Sequence, residues 1–350
     1  MFSEDLFGEK IPHKQKAGRL SSNWQYPPFS VLNARDGWWQ ERKRQWLALG
    51  IKSELGRGVN GFLAAPGGSP MVSGYDKNGK RLVGFARAFA QDLRRGEHQV
   101  GAPSIGRELT TEEFLAEHYE ASDAPTSSGT SIFDPVLCEL SYRWFCPPGG
   151  NIIDPFAGGS VRGIVASYLG RAYYGCELRE EQVAANRTQA SIASDPTPRW
   201  VCDDSRNIAA HFKAEMDFVF SCPPYADLEV YSDDPRDLSA MDYPAFIAAY
   251  REIIAAACGL LKENRFACFV VAEVRDPKGH YRNFVCDTVE AFRAVGLHYY
   301  NEAILVTAVG SLPIRAEKQM TSSRKLGKTH QNVLVFVKGD AKKAAEALAT

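Results

Sequence analysis

Asn151-Ile-Ile-Asp-Pro-Phe-Ala-Gly-Gly-Ser160 reads as a short apolar strand ending in an acid, then a tight glycine turn, then the start of a helix. In open α/β sheets, ligands bind beyond the carboxyl ends of strands where the chain order switches, and glycines at such a turn let a ligand approach the backbone. A phosphate-binding loop would present a lysine or a GxGxxG pattern. This turn has neither and offers the carboxylate of Asp154, which suits a cationic or hydroxyl-bearing ligand better than a pyrophosphate.

Working outward, β-rich apolar runs at 151–156, 172–178, 199–203, 217–221, 265–274, 298–307 and 332–338 alternate with helical candidates at 133–145, 160–169, 180–193, 243–262 and 282–295. That alternation predicts a mostly parallel sheet covered on both faces. The last two strands have no clear helix between them, so the final strand is expected to be antiparallel. Two further acids end successive strands. Glu177, in Tyr174-Gly-Cys-Glu-Leu178, stands where an acid can take both ribose hydroxyls of an adenine-containing ligand. Asp204, in Val201-Cys-Asp-Asp-Ser205, could accept from an adenine amino group. One strand-end acid is often a helix cap; three in succession are harder to explain that way.

The second informative stretch is Met216-Asp-Phe-Val-Phe-Ser-Cys-Pro-Pro-Tyr225. Two prolines cannot continue a central strand, because they lack the donors. They form a rigid exit that displays Tyr225 and leaves the Pro223 carbonyl open to a donor. An aromatic ring can stack on a base taken out of its helix, and a fixed carbonyl can hold the base's amino group. Alignment of this kind is sufficient for a direct group transfer, with no metal and no covalent intermediate.

These segments resemble the class I S-adenosylmethionine-dependent methyltransferases, and more narrowly the amino-group DNA methyltransferases that act on adenine N6 or cytosine N4. Asp154-Pro-Phe-Ala-Gly-Gly-Ser is similar to their cofactor loop, Asp-Pro-Phe-x-Gly-Ser-Gly, with the Gly159-Ser160 order changed. Thr130-Ser-Ile-Phe-Asp-Pro135 is similar to their cofactor-clamp segment. Cys222-Pro223-Pro224-Tyr225 resembles their catalytic (Asp/Asn/Ser)-Pro-Pro-(Tyr/Phe/Trp), except that Cys222 replaces a better acceptor, for which Ser221 could substitute only at a bulged strand end. The resemblance spans residues 130–340. It implies a Rossmann-like α/β fold with a seven-stranded, mostly parallel sheet and an antiparallel final strand. It implies S-adenosyl-L-methionine as cofactor, held by Phe133, Asp134, Asp154, Pro155, Phe156, Gly158, Gly159, Glu177 and Asp204. Catalysis would fall to Cys222, Pro223, Pro224 and Tyr225, with Ser221 beside them. The expected partner is double-stranded DNA with the target base flipped out; a restriction enzyme as companion is left open.

Three alternatives remain at this stage. One is a methyltransferase for RNA or a protein amide. Another is a carbon-5 cytosine methyltransferase with Cys222 as nucleophile and Glu273 as its acid. The third is a non-catalytic DNA-binding module of the same fold.

The formal net charge is −1, so any nucleic-acid contact requires a local basic surface. Arg315, Lys318, Arg324, Lys325 and Lys328, in the expected loop at 311–330, are the candidates. A second basic and aromatic stretch, Trp38-Trp39-Gln-Glu-Arg-Lys-Arg-Gln-Trp46, reads more readily as an amphipathic helix packing its tryptophans on the core. None of the eight cysteines forms a CxxC pair or has zinc-finger spacing with the histidines, so no metal site is expected. No apolar run approaches the roughly 20 residues needed to span a bilayer, and no signal peptide opens the chain, so a cytoplasmic location is expected.

The organisation expected is an accessory or target-recognition region at 1–125, a methyltransferase domain at 126–340 and a tail at 341–350. Within the first region, Asn78-Gly79 predicts a hairpin turn, residues 84–95 and 110–120 predict short helices, and 121–131 reads as a linker. The acidic stretch after Tyr225 reads equally as a closing loop or a solvated connection.

Overall fold

The structure is a computed structural model, and it describes residues 2–4, 10–12, 19–52, 133–225, 232, 234–310 and 312–349. Residues 1–56 and 132–350 form one unit, and residues 57–131 divide from it as a second. The expected hairpin at Asn78-Gly79, the short helices at 84–95 and 110–120, the linker and most of the acidic stretch after Tyr225 lie outside the described residues.

The first unit is built on an eight-stranded sheet. Its strands are β1 (Val31–Asn33), β2 (Asn151–Asp154), β3 (Ala172–Glu177), β4 (Arg199–Cys202), β5 (Met216–Ser221), β6 (Leu261–Val271), β7 (Leu297–Val306) and β8 (His330–Lys338). Across the sheet the order is β1-β7-β8-β6-β5-β2-β3-β4. Strands β2 to β6 pair in parallel, and β8 runs antiparallel to both β6 and β7. This is the Rossmann-like strand order with an antiparallel final strand that the resemblance implies. All seven expected strands are present. The eighth, β1, adds a short parallel edge beside β7.

The main helices are α1 (Gly37–Ala48), α2 (Pro135–Phe145), α3 (Val161–Tyr168), α4 (Glu180–Gln189), α5 (Tyr243–Gly259), α6 (Phe284–Ala294), α7 (Leu312–Ser323) and α8 (Ala341–Glu346), beside short ones at Arg19–Trp24 and Ile208–His211. Helix α7 corrects the sequence reading, which expected a loop at 311–330 between the last two strands.

Successive strand residues serve opposite faces. Phe218, Phe220, Cys268 and Val270 join the core under α1, α2 and α3. Val219, Ala267, Phe269 and Val271 join the core under α5 and α6. Every residue of β5 is buried, as a central parallel strand requires. The basic and aromatic stretch of α1 is structural. Trp39 and Trp46 are fully buried, and Arg42 and Trp46 both donate to Glu139 of α2. Residues 31–48 therefore contribute a strand and a helix to the sheet unit.

From β2 the chain winds outward through β3 to β4, then returns to β5 on the other side of β2. The order reverses between β2 and β5, so the crevice at the carboxyl ends of these two strands is the expected binding position for this kind of sheet.

Candidate functional site

The glycine turn lies at that crevice. Gly158 has φ +51°, a left-handed conformation that favours glycine. Its N–H donates to Glu177 Oε2 at 2.9 Å, and its carbonyl accepts from Asn186 Nδ2 at 2.7 Å. The Ala157 N–H donates to the Cys176 carbonyl at 3.0 Å, drawing the turn over the end of β3. Gly175 permits this approach, because a Cβ there would stand 2.9 Å from that of Ala157. Pro155 is buried, and its carbonyl accepts from Ser205 Oγ at 2.5 Å.

Asp154 corrects the sequence reading. Its side chain is fully buried rather than offered to a ligand. Oδ2 accepts from Arg162 Nε at 2.5 Å and from the Tyr173 hydroxyl at 2.6 Å; Oδ1 accepts from Ser221 Oγ at 2.5 Å and from the Phe156 N–H at 3.1 Å. Four donors saturate a carboxylate, so Asp154 shapes the turn from within. Arg162, which the sequence reading passed over, also donates to the carbonyls of Phe156 and Ala157 and lies 4.8 Å from the centre of the Phe133 ring. Burial works against its charge, but Asp154 holds the guanidinium firmly protonated. The only sequence sign of this role was a cation two residues after the turn.

The other expected cofactor residues divide. Glu177 is partly exposed at the end of β3 and accepts backbone bonds from Gly158 and from Arg179 at 3.0 Å. Burial raises its pKa above the usual carboxylate value, against those two N–H donors. A carboxylate has about four acceptor positions, so two remain for hydroxyl donors. Asp204 is drawn into local contacts: it accepts from the Arg206 N–H at 2.9 Å and from the Arg206 guanidinium. Burial raises its pKa, but the Arg206 bonds and charge outweigh that and hold it below the ordinary value. Asp134 is likewise engaged, capping α2 through the Val136 N–H at 2.9 Å and accepting from Trp39 Nε1 and Lys43 Nζ. The clamp expectation for Asp134 thus gives way to a role joining α1 to α2. Phe133 packs edge-on against Phe220, and Phe156 is half-buried beside Tyr250 and Phe269.

Ser160, the residue before α3, is buried, and its Oγ has no hydrogen-bond partner among the described residues. A buried hydroxyl without a partner is costly. It stands at a helix N-terminus, where backbone N–H groups favour an anion such as an amino-acid carboxylate.

Cys222-Pro223-Pro224-Tyr225 leaves β5 directly beside this turn. The Tyr225 ring is half-buried, 6.5 Å centre to centre from Phe284, and its hydroxyl accepts from Gln331 Nε2 at 2.7 Å. Cys222 Sγ lies 3.6 Å from the same hydroxyl. Ser221 is not a substitute for the missing acceptor. It pairs in register with Phe269 at the strand end, with no bulge there, is fully buried, and bonds Asp154. Glu273, which the cysteine-nucleophile alternative would use, instead accepts the N–H groups of Phe284 and Val285 at the start of α6.

Of the candidate DNA contacts, Arg315 and Lys318 are exposed on α7, Arg324 is exposed just after it at φ +53°, and Lys325 and Lys328 are partly buried on the return to β8. Among the described residues no His, Cys, Asp or Glu group could hold a metal ion, and no helix is long and apolar enough to cross a membrane.

No known family profile matches the sequence, and no curated protein does. Solved structures do. TrmN from Thermus thermophilus is similar at 15% identity and a TM-score of 0.40, covering 59% of this chain and 49% of that one, so the chain spans about half of its length. Magnesium protoporphyrin IX methyltransferase (ChlM) from Synechocystis PCC 6803 with bound SAM is similar at 11% identity and a TM-score of 0.34, covering 55% and 71%. Precorrin-6y C5,15-methyltransferase from Geobacter metallireducens GS-15 is similar at 14% identity and a TM-score of 0.39, covering 64% and 95%. At these scores the fold assignment stands on the strand order itself, a Rossmann-like α/β sheet with an antiparallel final strand.

Proposed function

We propose that the protein transfers a methyl group from S-adenosyl-L-methionine to the exocyclic amino group of a flipped-out DNA base, adenine N6 or cytosine N4. The observation that carries this reading is the 2.5 Å hydrogen bond from Ser221 to Asp154, which ties the glycine turn to the Cys-Pro-Pro-Tyr exit across neighbouring strands. A cofactor site and a base-holding motif then adjoin at the point where the sheet order reverses.

The residues fit the cofactor. The Ser160 hydroxyl and the first turn of α3 suit its carboxylate, the two remaining acceptor positions of Glu177 suit ribose hydroxyls, and the half-buried Phe156 offers an apolar wall. When bound, the cofactor supplies an electrophilic methyl on a sulfonium. The protein's task is alignment. Tyr225 stacks on the base, and the Pro223 carbonyl accepts one amino hydrogen so that the nitrogen lone pair turns toward the methyl. Cys222, a weak acceptor, lends less to that grip than the usual acid or amide.

The test is labelled-methyl transfer to duplex DNA followed by nucleoside mass spectrometry. N6-methyladenine or N4-methylcytosine is expected. Label only in 5-methylcytosine, RNA or a protein amide would replace the substrate assignment, and no cofactor binding at all would leave a DNA-binding module.

A further inference from the structure

The segment 274–282, between β6 and α6, is a closed hairpin that the catalytic reading does not use. The Arg282 N–H donates to the Val274 carbonyl at 2.8 Å, the Asp276 N–H to the His280 carbonyl at 2.8 Å, and the Gly279 N–H to the Asp276 carbonyl at 2.9 Å. Arg275 and Tyr281 face one another as an antiparallel bridge. The Tyr281 ring is 52% exposed, yet two cations address it: the Arg275 guanidinium at 4.0 Å from its centre and Lys328 Nζ at 5.8 Å. Lys325 lies over the hairpin at Gly279, where φ is +93° and any side chain would collide with it.

Among the described residues none of these cations forms a salt bridge. The nearby acids are otherwise engaged: Asp276 accepts from the His280 N–H and Glu273 receives the first N–H groups of α6. Burial lowers the Lys328 pKa, Glu273 opposes that and Arg275 adds to it, so an anion brought to this position would relieve a cost the protein carries. The cluster also abuts the catalytic exit. Phe284, three residues beyond Tyr281, packs on Tyr225, and Gln331, three residues beyond Lys328, bonds its hydroxyl.

We propose that the 274–282 hairpin and the 324–328 return form the surface that grips the nucleic-acid strand next to the target base, with Tyr281 against a sugar or base and Arg275, Lys325 and Lys328 on phosphates. A planar ring set among cations that form no salt bridge among the described residues, Arg275 donating only to the Gly279 carbonyl at 2.6 Å, matches the alternation of apolar face and negative charge along a strand. This inference rests on the methyltransferase reading for its substrate but not for its binding.

The experiment is fluorescence anisotropy of the full chain with a labelled duplex and the matching RNA over a range of salt, run beside the methyl-transfer assay and thermal melting. Tyr281→Ala is expected to weaken duplex binding about tenfold and Tyr281→Phe to restore it. Arg275→Gln and Lys328→Gln are each expected to reduce the salt slope by about one, with cofactor affinity unchanged. If the intact chain methylates DNA while these variants bind it with unchanged affinity and slope, the surface is wrong and the enzyme reading stands. If the same losses appear only with RNA, the surface stands and the DNA assignment falls. If the intact chain binds neither nucleic acid, both fall.

Discussion

The Ser221 hydroxyl also accepts the Phe156 N–H at 3.2 Å while donating to Asp154, so one side chain fastens both ends of the tripeptide Asp154-Pro155-Phe156 that opens the glycine turn. Ser221→Ala should therefore lower stability by about 1–3 kcal/mol and reduce methyl transfer further than that loss explains, because turn and exit would no longer be registered. Chemical denaturation and single-turnover rates measure the two effects. Full activity in a stable variant would remove Ser221 from the positioning role.

Asp154→Ala leaves the buried Arg162 without its counter-charge. Breaking a buried pair in this way costs about 3–5 kcal/mol, so the variant should melt far below the parent protein rather than only bind cofactor less tightly. A melting temperature within a degree or two (about 1 kcal/mol) of the parent would show that the carboxylate is not needed to build the turn.

Tyr225→Ala should abolish methylation and leave cofactor affinity intact, as read by calorimetry. Tyr225→Phe keeps the ring and loses the Gln331 bond, so it should retain most activity. Equal failure of both would point to the hydroxyl rather than to stacking.

Glu177→Gln should weaken cofactor binding by about 1–2 kcal/mol, and it should loosen the turn as well, since an amide NH2 would face either the Gly158 or the Arg179 N–H. Unchanged affinity would detach Glu177 from the ribose.

Acid should unfold the protein through Glu139 and Asp217. Burial pushes both upward, but Arg42 with Arg143 and Trp46 in one case, and the Asn151 N–H with Lys262 and Arg265 in the other, hold both below their ordinary values. A depressed folded pKa gives stability that is complete above the unfolded pKa of about 4 and is lost as pH falls through the folded value. The melting temperature should be level from neutral pH down to about pH 5 and fall below about pH 4. Asp217→Asn should make that fall shallower, and an unchanged slope would assign the acid sensitivity elsewhere.

The parallel half of the sheet was legible because its signals are local. Ile152-Ile153 before a glycine turn and an apolar run ending in two prolines each fix a strand end without reference to the rest of the chain. Two elements were not. Val31–Asn33 is too short to announce a strand and becomes one only beside β7. Helix α7 buries no residue fully and exposes Ile314, so no buried apolar face set its segment apart from a loop. At the site, the position of the turn was readable but the direction of Asp154 was not. Its partners Tyr173 and Ser221 arrive from β3 and β5, and only the folded sheet brings them together.

Glu139 has a consequence for how this protein can be dissected. Its carboxylate lies in the interior of α2, and two of its donors, Arg42 and Trp46, come from a helix almost a hundred positions earlier. A fragment trimmed to begin at the sequence-suggested boundary of 126 would leave that buried carboxylate with Arg143 as its one remaining cation and a bare apolar flank where two tryptophans had been. Anyone isolating the protein's smallest folded piece would have to keep residues 31–48 with it.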